Sequence, residues 1–306
     1  MIRHANDAIP MADQDTRLTT LMARAEGLLG RLERHLPPAA DTDWRAHAWR
    51  WRRGSGVGGP GWLEAVHRPH ALTLDDLCCV DAQRTEIDRN TRQFLAGAGA
   101  NNVLLSGARG TGKSTLVKAL FNTYREAGLR LIEVDKDELA DLPRILAQLE
   151  DRGERFILYC DDLSFEAGEG SYKALKAALD GSISAPPDNV LIYATSNRRH
   201  LLPELQHENR EARLIDGEIH HGEGVEEKIS LSDRFGLWLS FQPFSQGQYL
   251  TVCRHWLRRL GAAAVDGADV ERAALQWALR RGSRSGRTAY QFARDCAGRQ
   301  RLSQPS

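Results

Sequence analysis

Residues 103–120 read Val-Leu-Leu-Ser-Gly-Ala-Arg-Gly-Thr-Gly-Lys-Ser-Thr-Leu-Val-Lys-Ala-Leu. A short apolar run enters Gly107-Ala108-Arg109-Gly110-Thr111-Gly112-Lys113-Ser114, which fits G-x-x-x-x-G-K-[ST], and a helical stripe (Leu116, Val117, Leu120) follows. Strand, glycine-rich loop and helix in that order make a phosphate cradle. The glycines let main-chain N–H groups curl around an anion, and the start of the helix adds partial positive charge. Lys113 would reach the β- and γ-phosphates, and the Ser114 hydroxyl would complete a Mg²⁺ shell. Gly107 to Ser114, with Thr115 behind them, are therefore the expected nucleotide-binding residues, and ATP and Mg²⁺ the expected cofactors.

A phosphate loop needs an acid at the end of an apolar strand. Phe156-Ile157-Leu158-Tyr159-Cys160-Asp161-Asp162 supplies it. Asp161 is expected to hold the metal with Ser114, and Asp162 to polarise the attacking water. Glutamate is the usual residue at the second position, so Glu166, four residues on, is a rival base. Val190-Leu191-Ile192-Tyr193-Ala194-Thr195-Ser196-Asn197 reads as a further strand with Asn197, or Thr195, at its tip; an amide there orients water without transferring a proton.

Further out, short apolar runs alternate with helical periodicity, the pattern of an α/β fold with a parallel sheet. Five strands are expected: Val103–Ser106, Leu131–Val134, Phe156–Cys160, Val190–Thr195 and Leu237–Phe241. Helices are expected near 114–127, 138–151, 171–180 and 201–211. After Pro243 the reading is helical only, over 246–260, 268–281 and 288–299. Upstream, Leu18, Leu21, Met22, Ala25, Leu28, Leu29 and Leu32 mark one helix face, stopped at Pro37-Pro38. Trp44, Trp49, Trp51 and Trp62 surround a Gly-rich stretch beside Arg50, Arg52 and Arg53. This reads as a satellite core, with stacking on nucleic-acid bases as the alternative. The expected organisation is an extension over 1–71, an ATPase core over 72–244 and an α-helical lid over 245–306.

Composition limits the rest. With 41 Lys plus Arg against 41 Asp plus Glu in 306 residues, no global field marks a nucleic-acid or membrane binder. Charge is nevertheless uneven: residues 1–100 are neutral, 101–250 carry 17 basic and 24 acidic groups, and 251–306 carry 11 and 4. The five cysteines have neither zinc nor C-x-x-C spacing and read as reduced thiols. No apolar run approaches the roughly 20 residues of a membrane span, and Met1 to Pro10 has no signal-type stretch, so a cytoplasmic protein without membrane insertion is expected. His220 and His221, beside Glu218 and Glu223, form a weak metal pattern in an acidic, turn-rich segment over 203–230 that reads as a surface loop.

Over about residues 72–300 the chain resembles the AAA-type (AAA+) P-loop ATPases. Leu74-Asp75-Asp76-Leu77 before a helix and Asn101-Asn102-Val103-Leu104-Leu105 resemble that family's approach to its phosphate loop. Leu131-Ile132-Glu133-Val134-Asp135-Lys136, Cys160-Asp161-Asp162-Leu163-Ser164-Phe165-Glu166, Ser171-Tyr172-Lys173-Ala174-Leu175-Lys176, Thr195-Ser196-Asn197-Arg198-Arg199-His200 and Leu231-Ser232-Asp233-Arg234-Phe235 are similar to a bacterial group of uncharacterised ATP-binding proteins. The resemblance implies that Arg234, just before the last core strand, serves a neighbouring subunit's γ-phosphate in a homo-oligomer, with Arg198 and Arg199 as alternatives. It implies a lid sensor at Arg287, with Arg284 as the alternative. The expected activity is slow ATP hydrolysis driving a machine or switch on an unidentified protein or nucleic-acid client. A kinase acting on a small acceptor and a non-hydrolysing ATP-dependent scaffold are the other readings.

Overall fold

Val103, Leu104 and Leu105 have 0 % exposure and Ser106 has 1 %, so this strand is buried on both faces and needs no apolar/polar alternation. In the computed structural model of the protein, which describes residues 20–28, 42–54, 61–165, 170–180, 187–198, 213–215, 218–220, 231–262 and 266–303, it is the sixth of seven strands across the sheet, covered by one edge strand. The strands are β1 (Ala48–Arg53), β2 (Gly61–Ala65), β3 (Val103–Gly107), β4 (Leu129–Glu133), β5 (Arg155–Cys160), β6 (Val190–Ser196), β7 (Arg213–Ile215), β8 (Glu218–His220) and β9 (Leu237–Phe241). Seven of them form one sheet in the order β2-β1-β4-β5-β6-β3-β9, while β7 and β8 pair with each other. All pairs from β1 to β9 in the large sheet are parallel, and only β2 runs antiparallel, against β1.

The α-helices are α1 (20–28), α2 (Asp81–Leu95), α3 (Lys113–Tyr124), α4 (Leu142–Leu149), α5 (Gly170–Asp180), α6 (Gln246–Arg259), α7 (Ala268–Arg281) and α8 (Gly286–Ser303). Strand alternation sorts the core into two layers. Leu105, Ile157, Tyr159, Leu191 and Tyr193 pack with α2, α3 and the helices after β9. Leu104, Phe156, Leu158, Cys160 and Ile192 pack with α4 and α5. The result is an α/β P-loop fold with a helical lid. β6 stands between the loop strand β3 and the acid strand β5, the arrangement in which a third strand tip reaches the site.

The sheet has seven strands rather than the expected five, and the two additions come from the Trp-rich stretch upstream. Trp49 and Trp51 alternate with Arg50 and Arg52, and both rings are 1 % exposed in the α4–α5 layer. Trp51 Nε1 donates to Asp141 Oδ2 at 3.1 Å, and Arg53 Nε donates to the same oxygen at 2.8 Å. Arg50 meets Glu133 on the adjoining β4 at 2.7 Å, and Arg52 meets Glu64 on β2 at 2.8 Å. These arginines pair with carboxylates of the hairpin and its neighbours, and the burial of Trp49 and Trp51 fits the reading as core. The boundary expected at 71/72 also moves, because the sheet already begins at Ala48. The expected helix over 201–211 lies outside the described residues.

The lid follows β9 directly. Ser245 starts α6 through a reciprocal box in which Gln248 N donates to Ser245 Oγ at 3.3 Å and Ser245 N donates to Gln248 Oε1 at 2.9 Å. Asp76, buried ahead of α2, pairs with Arg259 at 3.0 Å and faces His255 at 3.6 Å, tying the chain before the core to the lid.

Gly61 tests the hairpin. A Cβ at this position would stand 1.9 Å from Cζ2 of Trp51. Gly61→Ala must therefore displace a buried ring and its bond to Asp141. We expect a loss of about 1–3 kcal/mol, read as a lower urea midpoint with unchanged slope.

Candidate functional site

The phosphate loop is shaped by what surrounds it. Gly107 has φ 124°, and a Cβ there would lie 2.1 Å from the Phe241 carbonyl oxygen of the adjacent β9. Ala108 N donates to that same oxygen at 3.1 Å, so β9 fixes the entry to the loop. Gly110 has φ 72°, and a Cβ on it would stand 2.8 Å from Ser285 Cβ at the start of the lid's last helix. Thr111 Oγ1 donates to Ala108 O at 2.8 Å and closes the turn from inside. No side chain caps the start of α3, so its first N–H groups face the cradle, as an anion site requires.

Lys113 is 5 % exposed, and its ammonium donates to Gly107 O at 2.8 Å, Ala108 O at 2.7 Å and Asn197 Oδ1 at 3.0 Å. Burial lowers its pKa to about 8, against the pull of Asp162 and Asp161 and with help from the positive charge of Arg109. The carbonyls satisfy this ammonium within a loop that is built to hold phosphate oxygens.

The acids arrive at the tip of β5. Asp161 Oδ1 accepts from Ser114 Oγ at 2.7 Å and from Thr195 Oγ1 at 2.6 Å. Burial pushes this carboxyl up, but the hydroxyls of Thr195 and Ser114 outweigh it and hold the group below the usual carboxylate range. Asp162 has φ 52°, a left-handed backbone that few non-glycine residues adopt. Its N–H donates to Thr195 Oγ1 at 2.9 Å, and its Oδ1 accepts from Asn197 Nδ2. Thr195 and Asn197 were alternatives in the sequence, and here each has its own task. Thr195 braces the two acids, while Asn197 links Asp162 to Lys113.

A cleft of about 870 Å³ opens over the loop. Residues 109–115, Asp161, Asp162, Thr195 and Asn197 form its floor, and Arg287 enters from the lid. Gly286 N donates to Gly110 O at 2.7 Å, so the first turn of α8 is bonded to the phosphate loop. The far wall includes Leu72, Leu77, Phe244, Trp256 and Tyr290, with the last two rings edge to face at 4.8 Å. Apart from Leu77, which belongs to the Leu74-Asp75-Asp76-Leu77 stretch, these wall residues carry no motif and no signal in the sequence marks them. Asn122 places the segment behind them by donating to His70 O at 2.6 Å and Leu72 O at 2.7 Å.

The residues fit a nucleoside triphosphate with Mg²⁺. Glycines supply the positive φ values of the loop, a desolvated ammonium lies at its root, and a hydroxyl–carboxylate pair offers the hard oxygens this cation takes.

Residues 44–300 match the model of the family described as "Protein of unknown function (DUF815)". The chain belongs to the DUF815 family. No curated protein matches it. Among solved structures it is similar to RuvB of Thermotoga maritima. A proline-to-glycine RuvB mutant is 18% identical over 72% of this chain and 64% of that one, with a TM-score of 0.46. A lysine-to-arginine mutant is 15% identical over 72% and 63%, at 0.48. A structure entitled RuvB Holliday junction branch migration motor is 14% identical over 72% and 70%, at 0.42. The DUF815 chain thus spans just under two thirds of the first two.

The other expected residues of this DUF815 chain divide clearly. Arg287 lines the cleft, whereas exposed Arg284 is absent from its lining. Arg234 pairs with Asp180 at the end of α5. Glu166, Arg199 and His221 also lie outside them, as do the side chains of Glu218 and His220. Among the described residues no cluster of three or more His, Cys, Asp or Glu could hold a metal, and no helix is long and apolar enough to cross a membrane. All five cysteines are free thiols.

Lys113 sets a pH dependence. Its pKa near 8 lies below that of an ordinary lysine, so the folded, ligand-free protein releases this proton first. An anion needs the protonated form, so Mg-ADP affinity should be flat below pH 8 and fall by up to about tenfold per unit above it. Calorimetric titration of the native protein with Mg-ADP from pH 7 to 9.5 should show this break.

Proposed function

We propose that this chain binds ATP with Mg²⁺ in the cleft and hydrolyses it, using the lid to pass the change of state to a partner. One observation carries the reading: Lys113, the Ser114–Asp161 pair and the Asp162–Asn197 pair converge on a single loop of phosphate-binding shape. The main-chain N–H groups of the loop and the first turn of α3 would grip the phosphate chain. Lys113 would exchange its two carbonyl partners for phosphate oxygens, which releases those carbonyls and recovers the cost of keeping an ammonium buried. Ser114 and Asp161 would hold Mg²⁺, which, when bound, neutralises phosphate charge. The apolar wall of Leu72, Leu77, Trp256 and Tyr290 suits a purine ring.

Asp162 is the base favoured by position, because its carboxylate faces the loop and Asn197 orients it. Asn197 would hold the attacking water while Asp162 takes its proton. The lid is coupled to this chemistry by two short routes, the Gly286–Gly110 hydrogen bond and Arg287 in the cleft. A change at the terminal phosphate can thus alter the lid angle. For Arg234, the pair with Asp180 supports a bracing role within its own subunit, and service to a neighbouring subunit would require breaking that pair.

Asp162→Asn should keep Mg-ATP affinity within about threefold while lowering turnover by roughly 10² or more, since binding needs charge neutralisation and cleavage needs a proton acceptor. Lys113→Ala should lose both. Calorimetry with Mg-ATP and a phosphate-release assay read the two effects separately. Tight binding by the native chain without phosphate release would replace hydrolysis with an ATP-dependent scaffold, and release that depends on an added acceptor would point to a kinase.

A further inference from the structure

Arg109 occupies the third position of the phosphate loop, and its side chain is 80 % exposed. Its Nη2 lies 4.0 Å from Oδ2 of Asp162, across the mouth of the cleft. The other oxygen of Asp162 accepts from Asn197, whose Oδ1 in turn accepts from Lys113. Guanidinium and ammonium therefore flank one small volume, and the charge of Arg109 acts on Lys113 as a repulsion. Asp162 attracts both cations: its charge acts on Lys113, and its Oδ2 stands 4.0 Å from Arg109. The contrast with Arg234 is sharp. That side chain is 24 % exposed, is paired with Asp180, and is not part of the cleft lining.

We propose that Arg109 is a catalytic arginine acting in cis: its guanidinium leaves Asp162 for the terminal phosphoryl group and neutralises the charge that grows there during hydrolysis. A single chain then holds every group needed for turnover. This rests on the ATPase reading above and deepens it.

The exchange serves both partners. A terminal phosphate carries more charge than one carboxylate and offers coplanar oxygens to the planar fork of arginine, so the guanidinium gains by moving. Asp162 loses the neighbouring positive charge at the same moment, which makes its carboxylate a better proton acceptor. Water oxygen then bonds to the γ-phosphorus, and the bond to the bridging oxygen breaks with its electron pair on ADP. The water proton passes to Asp162. An exposed side chain on the loop makes this move by rotation alone, without a change of backbone.

The test uses the full chain with Arg109→Ala and Arg109→Lys. Mg-ADP affinity should stay within about threefold of the native value, because the loop amides and Lys113 hold the β-phosphate. Capture of Mg-ADP with aluminium fluoride, a mimic of the transferring phosphoryl group, should weaken by at least about 10²-fold in Arg109→Ala. Turnover should fall by about 10³-fold, with Arg109→Lys recovering only part because an ammonium lacks the fork. Native turnover per chain should not change with protein concentration. Native-like capture and turnover in Arg109→Ala would overturn the proposal. Faster turnover would do so too, since Arg109 would then be only a restraint on Asp162. So would native turnover that vanishes on dilution. A native chain that binds no Mg-ATP would instead remove the ATPase reading, and this proposal with it.

Discussion

A buried ammonium organises this molecule. Lys113 lies at the base of the phosphate loop with almost no solvent contact, and its charge is met by two carbonyls of the same loop and by the Asn197 amide. An unpaired charge at that depth would cost several kcal/mol, so the loop, the tip of β6 and the tip of β5 are obliged to assemble around it. Asp162 takes a left-handed backbone in this assembly, with its carboxylate on Asn197 and its N–H on Thr195.

Strand order makes that assembly possible. β6 lies between β3 and β5 and carries Thr195 and Asn197 into the gap between loop and acids. If the loop strand and acid strand were neighbours, this place would be taken by their own ladder, and Asp161 would lose the Thr195 hydroxyl that helps to keep it ionised. The lid closes the other side. The N–H of Gly286 reaches a carbonyl in the middle of the loop and ties the loop to the first turn of α8.

The outer hairpin shows a different economy. Trp49 and Trp51 extend the core past β4, and Asp141 receives both an indole N–H and a guanidinium. Arginines that look like a recognition surface in the sequence are structural here, because each sits opposite or beside a carboxylate once the strands pair. The arginines that line the cleft are Arg109 on the phosphate loop itself and Arg259 and Arg287 on the helices after β9.

Short-range chemistry determined much of this from the sequence. The loop motif, the acid pair and the five parallel strands were legible because each is encoded by neighbouring residues: glycines where φ must be positive, an apolar run where both faces are buried, carboxylates directly after a strand. The lid helices were legible from their periodicity, and β9 matches the expected Leu237–Phe241. The two strands of the outer hairpin were not, since Trp-Arg alternation acquires meaning only when β4 and Asp141 stand beside it. The division of labour between Thr195 and Asn197, the Arg234–Asp180 pair, the aromatic wall of the cleft and the placement of Arg109 against Asp162 were likewise decided by tertiary structure. Those contacts join residues far apart along the chain, and their free energy depends on distance and burial, which no local pattern of residues contains.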